Sequence, residues 1–227
     1  MKKLIIFTGA GISAESGLKT FRGTDGLWEG YRVEEVATPE GWKANPKQVL
    51  EFYNIRRKQC IAAQPNAAHL TLADLERQYD VQIITQNIDD LHERAGSSNV
   101  LHLHGEIRKA QSSLNPKFVY RMSEENIEIG DVCEWGSQLR PHVVWFGEAV
   151  PNLERATQIT AEADIFVVIG TSLQVYPAAN LLHEVNNTCT VYLIDPNADQ
   201  MDVPAKVNRI NATATEGIQI LGSFLTK

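Results

Sequence analysis

Residues 5–17 read IIFTGAGISAESG, an apolar run that ends in Gly9-x-Gly11-x-x-Ala14. No other stretch narrows the fold so far. An apolar strand, a tight glycine turn and a helix make up the phosphate-binding corner of a dinucleotide fold. Gly9 permits the turn, and Gly11 lets backbone N–H groups approach a phosphate. The dipole of the following helix favours the anion. Taken alone, the motif leaves a second reading open, a turn that only packs helix on strand. The run itself predicts a strand over Leu4–Thr8. Four more strands are predicted over Val81–Thr85, Val100–His104, Ile165–Ile169 and Val191–Ile194. Several are near-continuous apolar runs, as in a parallel sheet covered on both faces. Helical stretches lie between them, among them Ala68–Gln78, Pro177–Val185 and Glu216–Phe224. This alternation predicts an α/β fold, a doubly wound parallel Rossmann-like sheet.

Two segments break the rhythm. One carries a helix start, with Asn45 as N-cap, Pro46 at the first position and Gln48 closing a capping box. The other holds KFVYRM and IEIGDV, short alternating pieces that fit a β-hairpin. Both read as insertions that build a smaller domain. The division is then 1–30, 76–106 and 142–227 for the dinucleotide-binding domain, and 31–75 with 107–141 for the small one. A cleft between them is expected at the carboxyl ends of the strands.

The bulk properties exclude several classes. A net charge of −7 speaks against a nucleic-acid surface. It suits lysine-bearing partners, although solubility alone explains it. Cys60, Cys133 and Cys189 are scattered and odd in number, which fits a reducing, cytoplasmic setting without a disulfide framework. The opening MKKLIIF is too short in its apolar part for a signal peptide, and no run reaches a membrane span.

Hydride transfer fits poorly. A dehydrogenase needs a second strand ending in an acid that holds the adenosine ribose. That place reads TFRGTDGLWEGY, with three glycines and no strand pattern, a loop carrying Phe21, Arg22 and Asp25. Further on, TQNIDDLHERAG sets Gln86, Asn87 and Asp89 just past a strand, where such folds place their sites; a helix cap is the other reading. In NVLHLHGEI, His102 and His104 alternate and so share one strand face. A metal pair lacks an evident third ligand, whereas a histidine at a strand's carboxyl end suits proton transfer. On the helix after Asn45, Val49, Tyr53, Arg56 and Cys60 share a face, which leaves Arg56 in an apolar stripe. Such a charge calls for a carboxylate, either the protein's or a ligand's.

Five motifs in order now resemble the sirtuins, NAD-dependent protein lysine deacylases: Gly9-Ala10-Gly11-Ile12-Ser13, Thr85-Gln86-Asn87-Ile88-Asp89, His104-Gly105, Val144-Trp145-Phe146-Gly147-Glu148 and Gly170-Thr171-Ser172. The resemblance spans nearly the whole chain. It implies that NAD is a reactant: the acyl oxygen attacks the ribose carbon bearing nicotinamide. An NAD hydrolase or ADP-ribosyltransferase, or a non-catalytic NAD or acyl-peptide binder, are the alternatives. The resemblance implies His104 as general base and Asn87 as the residue ordering ribose and water. It assigns cofactor contacts to Gly9, Ala10, Gly11, Ser13, Phe21, Arg22, Trp28, Gln86, Asn87, Asp89, Gly170, Thr171, Ser172, Asn197 and Ala214. Substrate contacts fall on Ala37, Tyr53, Arg56, Val144, Trp145, Phe146, Gly147 and Val175, with the peptide added as a strand beside HVVWFGE. Tyr53 with Arg56, and the small Ala37, match family members that remove anionic acyl groups such as succinyl and malonyl. The chain departs from the family in one place. Most sirtuins carry two Cys-x-x-Cys pairs for zinc, whereas residues 107–140 hold only Cys133. No structural zinc is therefore expected, and Phe118, Tyr120, Ile127, Ile129, Val132 and Trp135 are expected to pack an apolar cluster in its place.

Overall fold

A computed structural model describes residues 1–20, 27, 28, 30–122 and 126–225, with only the backbone of 27 and 28. In chain order the elements are β1 (Lys3–Thr8), a 3-10 helix (Ala10–Ser16), β2 (Leu27–Trp28), β3 (Tyr31–Arg32), α1 (Val33–Val36), α2 (Pro39–Ala44), α3 (Pro46–Ala62), α4 (Ala67–Leu75), β4 (Asp80–Thr85), α5 (Leu91–Ala95), β5 (Val100–His102), β6 (Gly105–Ser112), β7 (Val119–Arg121), β8 (Leu139–Val143), α6 (Leu153–Ala161), β9 (Ile165–Ile169), β10 (Thr190–Ile194), β11 (Asn208–Ile210) and α7 (Ala214–Leu225). Short 3-10 turns at Ala178–His183 and Ala198–Gln200 lie near β10.

Six strands form one parallel sheet in the order β11-β10-β9-β1-β4-β5. The alternation of β1 explains why it sits at the centre. Ile5 and Phe7 face a core with Phe166, Val168 and Leu181, while Leu4 and Ile6 face another with Val167, Leu72 and Ile218. Each such side chain contributes about 1.5–3 kcal/mol on burial. Two covered faces are why this strand reads as an unbroken apolar run. The predicted strands all form, within two residues of the expected ends. The sheet also gains β11, where only Ile210 is buried and no apolar run announces it.

The smaller antiparallel sheet has the order β7-β6-β8. Here the expected hairpin gives way to another pairing. Tyr120 lies opposite Ala110 on β6, and Pro141 on β8 flanks Ala110 on its other side. IEIGDV makes no strand; it turns at Gly130, and Val132 forms a single bridge to Gln138. The expected apolar cluster also breaks up. Ile127 packs with Leu50 and Ala110, whereas Phe118 and Trp135 stack at the surface and Ile129, Val132 and Trp135 are more than half exposed.

Two polar ends set the helices. Asn45 accepts the Gln48 N–H at 3.2 Å ahead of Pro46, as expected. The reciprocal half of the capping box differs. Asn45 Nδ2 donates to Gln48 Oε1 at 3.0 Å, because the Asn45 N–H is already taken by Gly41 O. α4, read as part of the small unit, packs Ala68 and Leu72 into the core under the parallel sheet. No helix among the described residues is long and apolar enough to cross a membrane.

Candidate active site

Two cavities, of about 220 and 320 Å³, open where β1, β4 and β9 end, and both are lined by Ala10, Gln86 and Val175. The parallel arrangement forces this convergence. The chain leaves every strand on the same side, and the loops after Thr8, Thr85 and Ile169 meet there.

The larger cavity is a backbone cradle. It is lined by Gly11, Gly170, Thr171, Ser172, Asn197 and Ala214, all expected at the cofactor. Gly11 donates its N–H to Gly170 O at 2.8 Å, and a Cβ on Gly11 would come within 2.6 Å of Gly170 Cα. Gly9 lines neither cavity. It buttresses this contact, since a Cβ there would lie 2.6 Å from Thr171 Cβ. The loop beyond holds Leu173 at φ +55°, with its N–H on Thr171 Oγ1 at 3.2 Å. A non-glycine residue in that region stores strain, a common trait of ligand-binding loops.

The smaller cavity gathers the polar residues. Ser13 Oγ donates to Asp89 Oδ2 at 3.1 Å, and Asn87 Nδ2 donates to Gly9 O at 3.1 Å and to Ser13 Oγ at 3.2 Å. Burial pushes the Asp89 carboxyl upward, against the Leu91 N–H and the Ser13 hydroxyl. β5 ends at His102, so strand alternation does not aim both histidines alike. His104 lines the cavity and His102 turns to Glu93. His104 Nδ1 lies 3.0 Å from Gln86 O, which fixes the proton on Nδ1 and leaves Nε2 as the basic nitrogen. Burial lowers the His104 pKa below 6.5, opposed by that carbonyl, so the ring is neutral near pH 7.

The far wall is α3 and the segment after β8. Ala37, Tyr53, Arg56, Val144, Trp145, Phe146, Gly147 and Val175 all line the smaller cavity, as expected of substrate contacts. Tyr53, Arg56 and Cys60 are buried in one stripe. Trp145 Nε1 donates to the Tyr53 hydroxyl at 3.1 Å, and burial holds that hydroxyl far above its ordinary pKa, hence as a neutral donor. Burial pushes the Cys60 thiol up to about 12, so it is no nucleophile. HVVWFGE is strand only as far as Val143. Val144 and Phe146 then donate their N–H groups to His104 O and Ala37 O. Arg140 clamps this segment. Its guanidinium bonds Glu148 at 2.7 and 3.0 Å and lies 3.3 Å over the Trp145 ring, while Glu148 accepts the Trp145 N–H at 2.8 Å.

Phe21, Arg22 and Asp25 lie outside the described residues, as does the Trp28 side chain. Sequence reasoning missed Lys19, Ile88, Val150 and Tyr176 in the smaller cavity, and Glu15, Thr20, Asp195 and Thr213 in the larger. Asp195 was within reach, since it directly follows an apolar strand in LIDPN. Among the described residues no group of three His, Cys, Asp or Glu side chains could hold a metal ion.

The residues fit a dinucleotide. Gln86 Nε2 is buried at the junction of the two cavities, with no hydrogen-bond partner among the described residues. A buried amide donor without a partner costs about 1–3 kcal/mol, which a polar ligand would relieve.

A parallel sheet with a glycine cradle, joined to a buried histidine and an amide–carboxylate network, defines an α/β protein that does chemistry beside a bound dinucleotide. The matching family model, the Sir2 family, covers residues 9–177. The chain belongs to the Sir2 family. It is 54% identical over 221 residues to an NAD-dependent protein deacylase of Helicobacter pylori, covering 97% of this chain and 96% of that one. A second NAD-dependent protein deacylase, from Bacteroides thetaiotaomicron, is 50% identical over 230 residues, with 99% and 98% covered. Among solved structures, a Sir2 homologue in complex with NAD matches with a TM-score of 0.86 at 40% identity, over 99% of this chain and 90% of that one. A mutant Sir2 homologue in complex with ADP-ribose matches at 0.85 and 39%, over 99% and 94%.

Proposed function

We propose that this chain is an NAD-dependent protein-lysine deacylase that removes acetyl, succinyl and malonyl groups, releasing nicotinamide and O-acyl-ADP-ribose. The observation that carries this reading is the single-proton tautomer of His104. With Nδ1 on the Gln86 carbonyl, Nε2 is the basic nitrogen of a buried neutral ring, in a cavity that adjoins the glycine cradle.

Bound NAD supplies a glycosidic bond to a cationic leaving group. The glycine cradle and the Gln86 amide hold it, with Thr171, Ser172, Asn197 and Ala214 at its rim. With it bound, Asp89 would accept from the nicotinamide carboxamide, Asn87 would align the ribose and a water, and His104 Nε2 would take the proton from a ribose hydroxyl. Positioning supplies much of the drive, since an amide oxygen is a weak nucleophile. Tyr53 and Arg56 receive the carboxylate of an anionic acyl group; the guanidinium fork suits it. The lysine-bearing peptide lies as an added strand along Val144–Gly147. Three of that segment's N–H groups, on Val144, Trp145 and Phe146, are already engaged, so its carbonyls carry the pairing.

The net charge of −7 supports protein rather than nucleic acid as the partner. The proposed setting is cytoplasmic, with no structural zinc. The division into an NAD-binding and a small unit is kept, with α4 moved to the NAD-binding side on the strength of its packing. The test is to mix the protein with NAD and acetyl-, succinyl- and malonyl-lysine peptides and to follow the products by mass spectrometry. Nicotinamide and freed lysine should appear together, and His104→Ala should slow both at least about 100-fold. Nicotinamide without freed lysine would identify an NAD hydrolase instead, and neither product would leave a binding module.

A further inference from the structure

Two consecutive carbonyls past β4 each meet an imidazole. His104 Nδ1 lies 3.0 Å from Gln86 O, and His102 Nδ1 lies 2.9 Å from Asn87 O. The two rings then differ. The second nitrogen of His102 lies 2.8 Å from Glu93 Oε1. A carbonyl and a carboxylate are both acceptors, so each nitrogen of this ring must carry a proton. Glu106 on β6 adds to the attraction, and Asp89 faces the same charge from the loop. His92 on α5 and His142 on β8 are both held toward the neutral form, so neither opposes it. Burial works against a charged His102, but Glu93, the Asn87 carbonyl and Glu106 outweigh it.

The bond lands where it matters. Asn87 is anchored through its N–H to Thr85 Oγ1 at 3.0 Å and through its side-chain amide to Gly9 and Ser13. Its carbonyl is the remaining handle, and the charged ring holds it. We propose that His102, kept as an imidazolium by Glu93, is a positioning residue that clamps the Asn87 backbone and so aims the Asn87 side chain into the cavity. A charge-assisted bond is roughly twice as strong as a neutral one. A neutral ring would also turn a lone pair toward the Glu93 carboxylate. The kinetic consequence rests on the deacylase reading; the proton count does not.

The test uses the full chain with ¹⁵N-labelled histidine at pH 7.5. The His102 signals are assigned by their loss in His102→Gln. Both ring nitrogens should show protonated shifts in the wild type. Glu93→Gln keeps the shape of a partly exposed side chain and should return the ring to one proton. The same variant should lower kcat for deacetylation about tenfold, with the KM for peptide changed less than twofold. A wild-type His102 carrying one proton overturns the proposal, and so does a Glu93→Gln variant with unchanged kcat. A wild type without any turnover would sink the deacylase reading, while the nitrogen shifts would still decide the charge of His102.

Discussion

At the scale of single residues, the site separates its titratable groups by what surrounds each. His104 and His102 stand two apart, yet one faces a carbonyl alone and the other a carbonyl and a carboxylate. The first is therefore held neutral and the second charged. A base works only when deprotonated, so activity must fail on the acid side, as pH drops through the His104 pKa. Burial lowers that pKa below 6.5. The profile of kcat/KM against pH should thus stay level from pH 8 down to about 6.5, the ordinary imidazole value, and decline beneath it. An acid limb centred at pH 7 or above would assign the proton transfer to another group.

At the scale of elements, α3 serves two faces at once. Tyr53, Arg56 and Cys60 form part of the cavity wall, while Leu50, Asn54 and Arg57 fasten the antiparallel sheet. Arg56 reaches Gln59 Oε1 at 3.4 Å and is itself buried at the cavity. Replacing it with methionine removes the guanidinium fork and keeps the bulk. Arg56→Met should cut desuccinylation and demalonylation at least about 100-fold, the worth of a lost charge-assisted pair, and deacetylation less than tenfold. Equal losses on all three peptides would take Arg56 out of acyl selection. This helix was legible in the chain because its cap, its proline and its stripe are all local signals. The pairing of β7 was not. Val119–Arg121 bonds a strand eight or more residues back, and a short alternating piece says nothing about which partner it takes. The Arg140–Glu148 clamp was likewise hidden, since a turn had to bring the two together before their charges could be read as a pair.

At the scale of the whole molecule, the question is what holds the antiparallel sheet in place when residues 107–140 carry a single cysteine. The described contacts answer with a buried polar tie to α3. Asn54 Nδ2 donates to Ile127 O at 3.0 Å, and Asn54 Oδ1 accepts the Ile127 N–H at 2.9 Å and Arg57 Nη1 at 2.7 Å. Arg57 Nε donates to Ile107 O at 2.8 Å, so one helix turn binds two distant parts of the insertion. Ile127 is 1% exposed, hence water cannot replace a lost partner. Asn54→Ala would strand both of its backbone groups, at about 1–3 kcal/mol each. The melting temperature should fall by roughly 4–24 °C. A chelator should leave the wild-type melting curve unmoved, and elemental analysis should find no stoichiometric zinc. If zinc were found and EDTA lowered the melting temperature as far as Asn54→Ala does, a metal would be carrying the load assigned here to an amide.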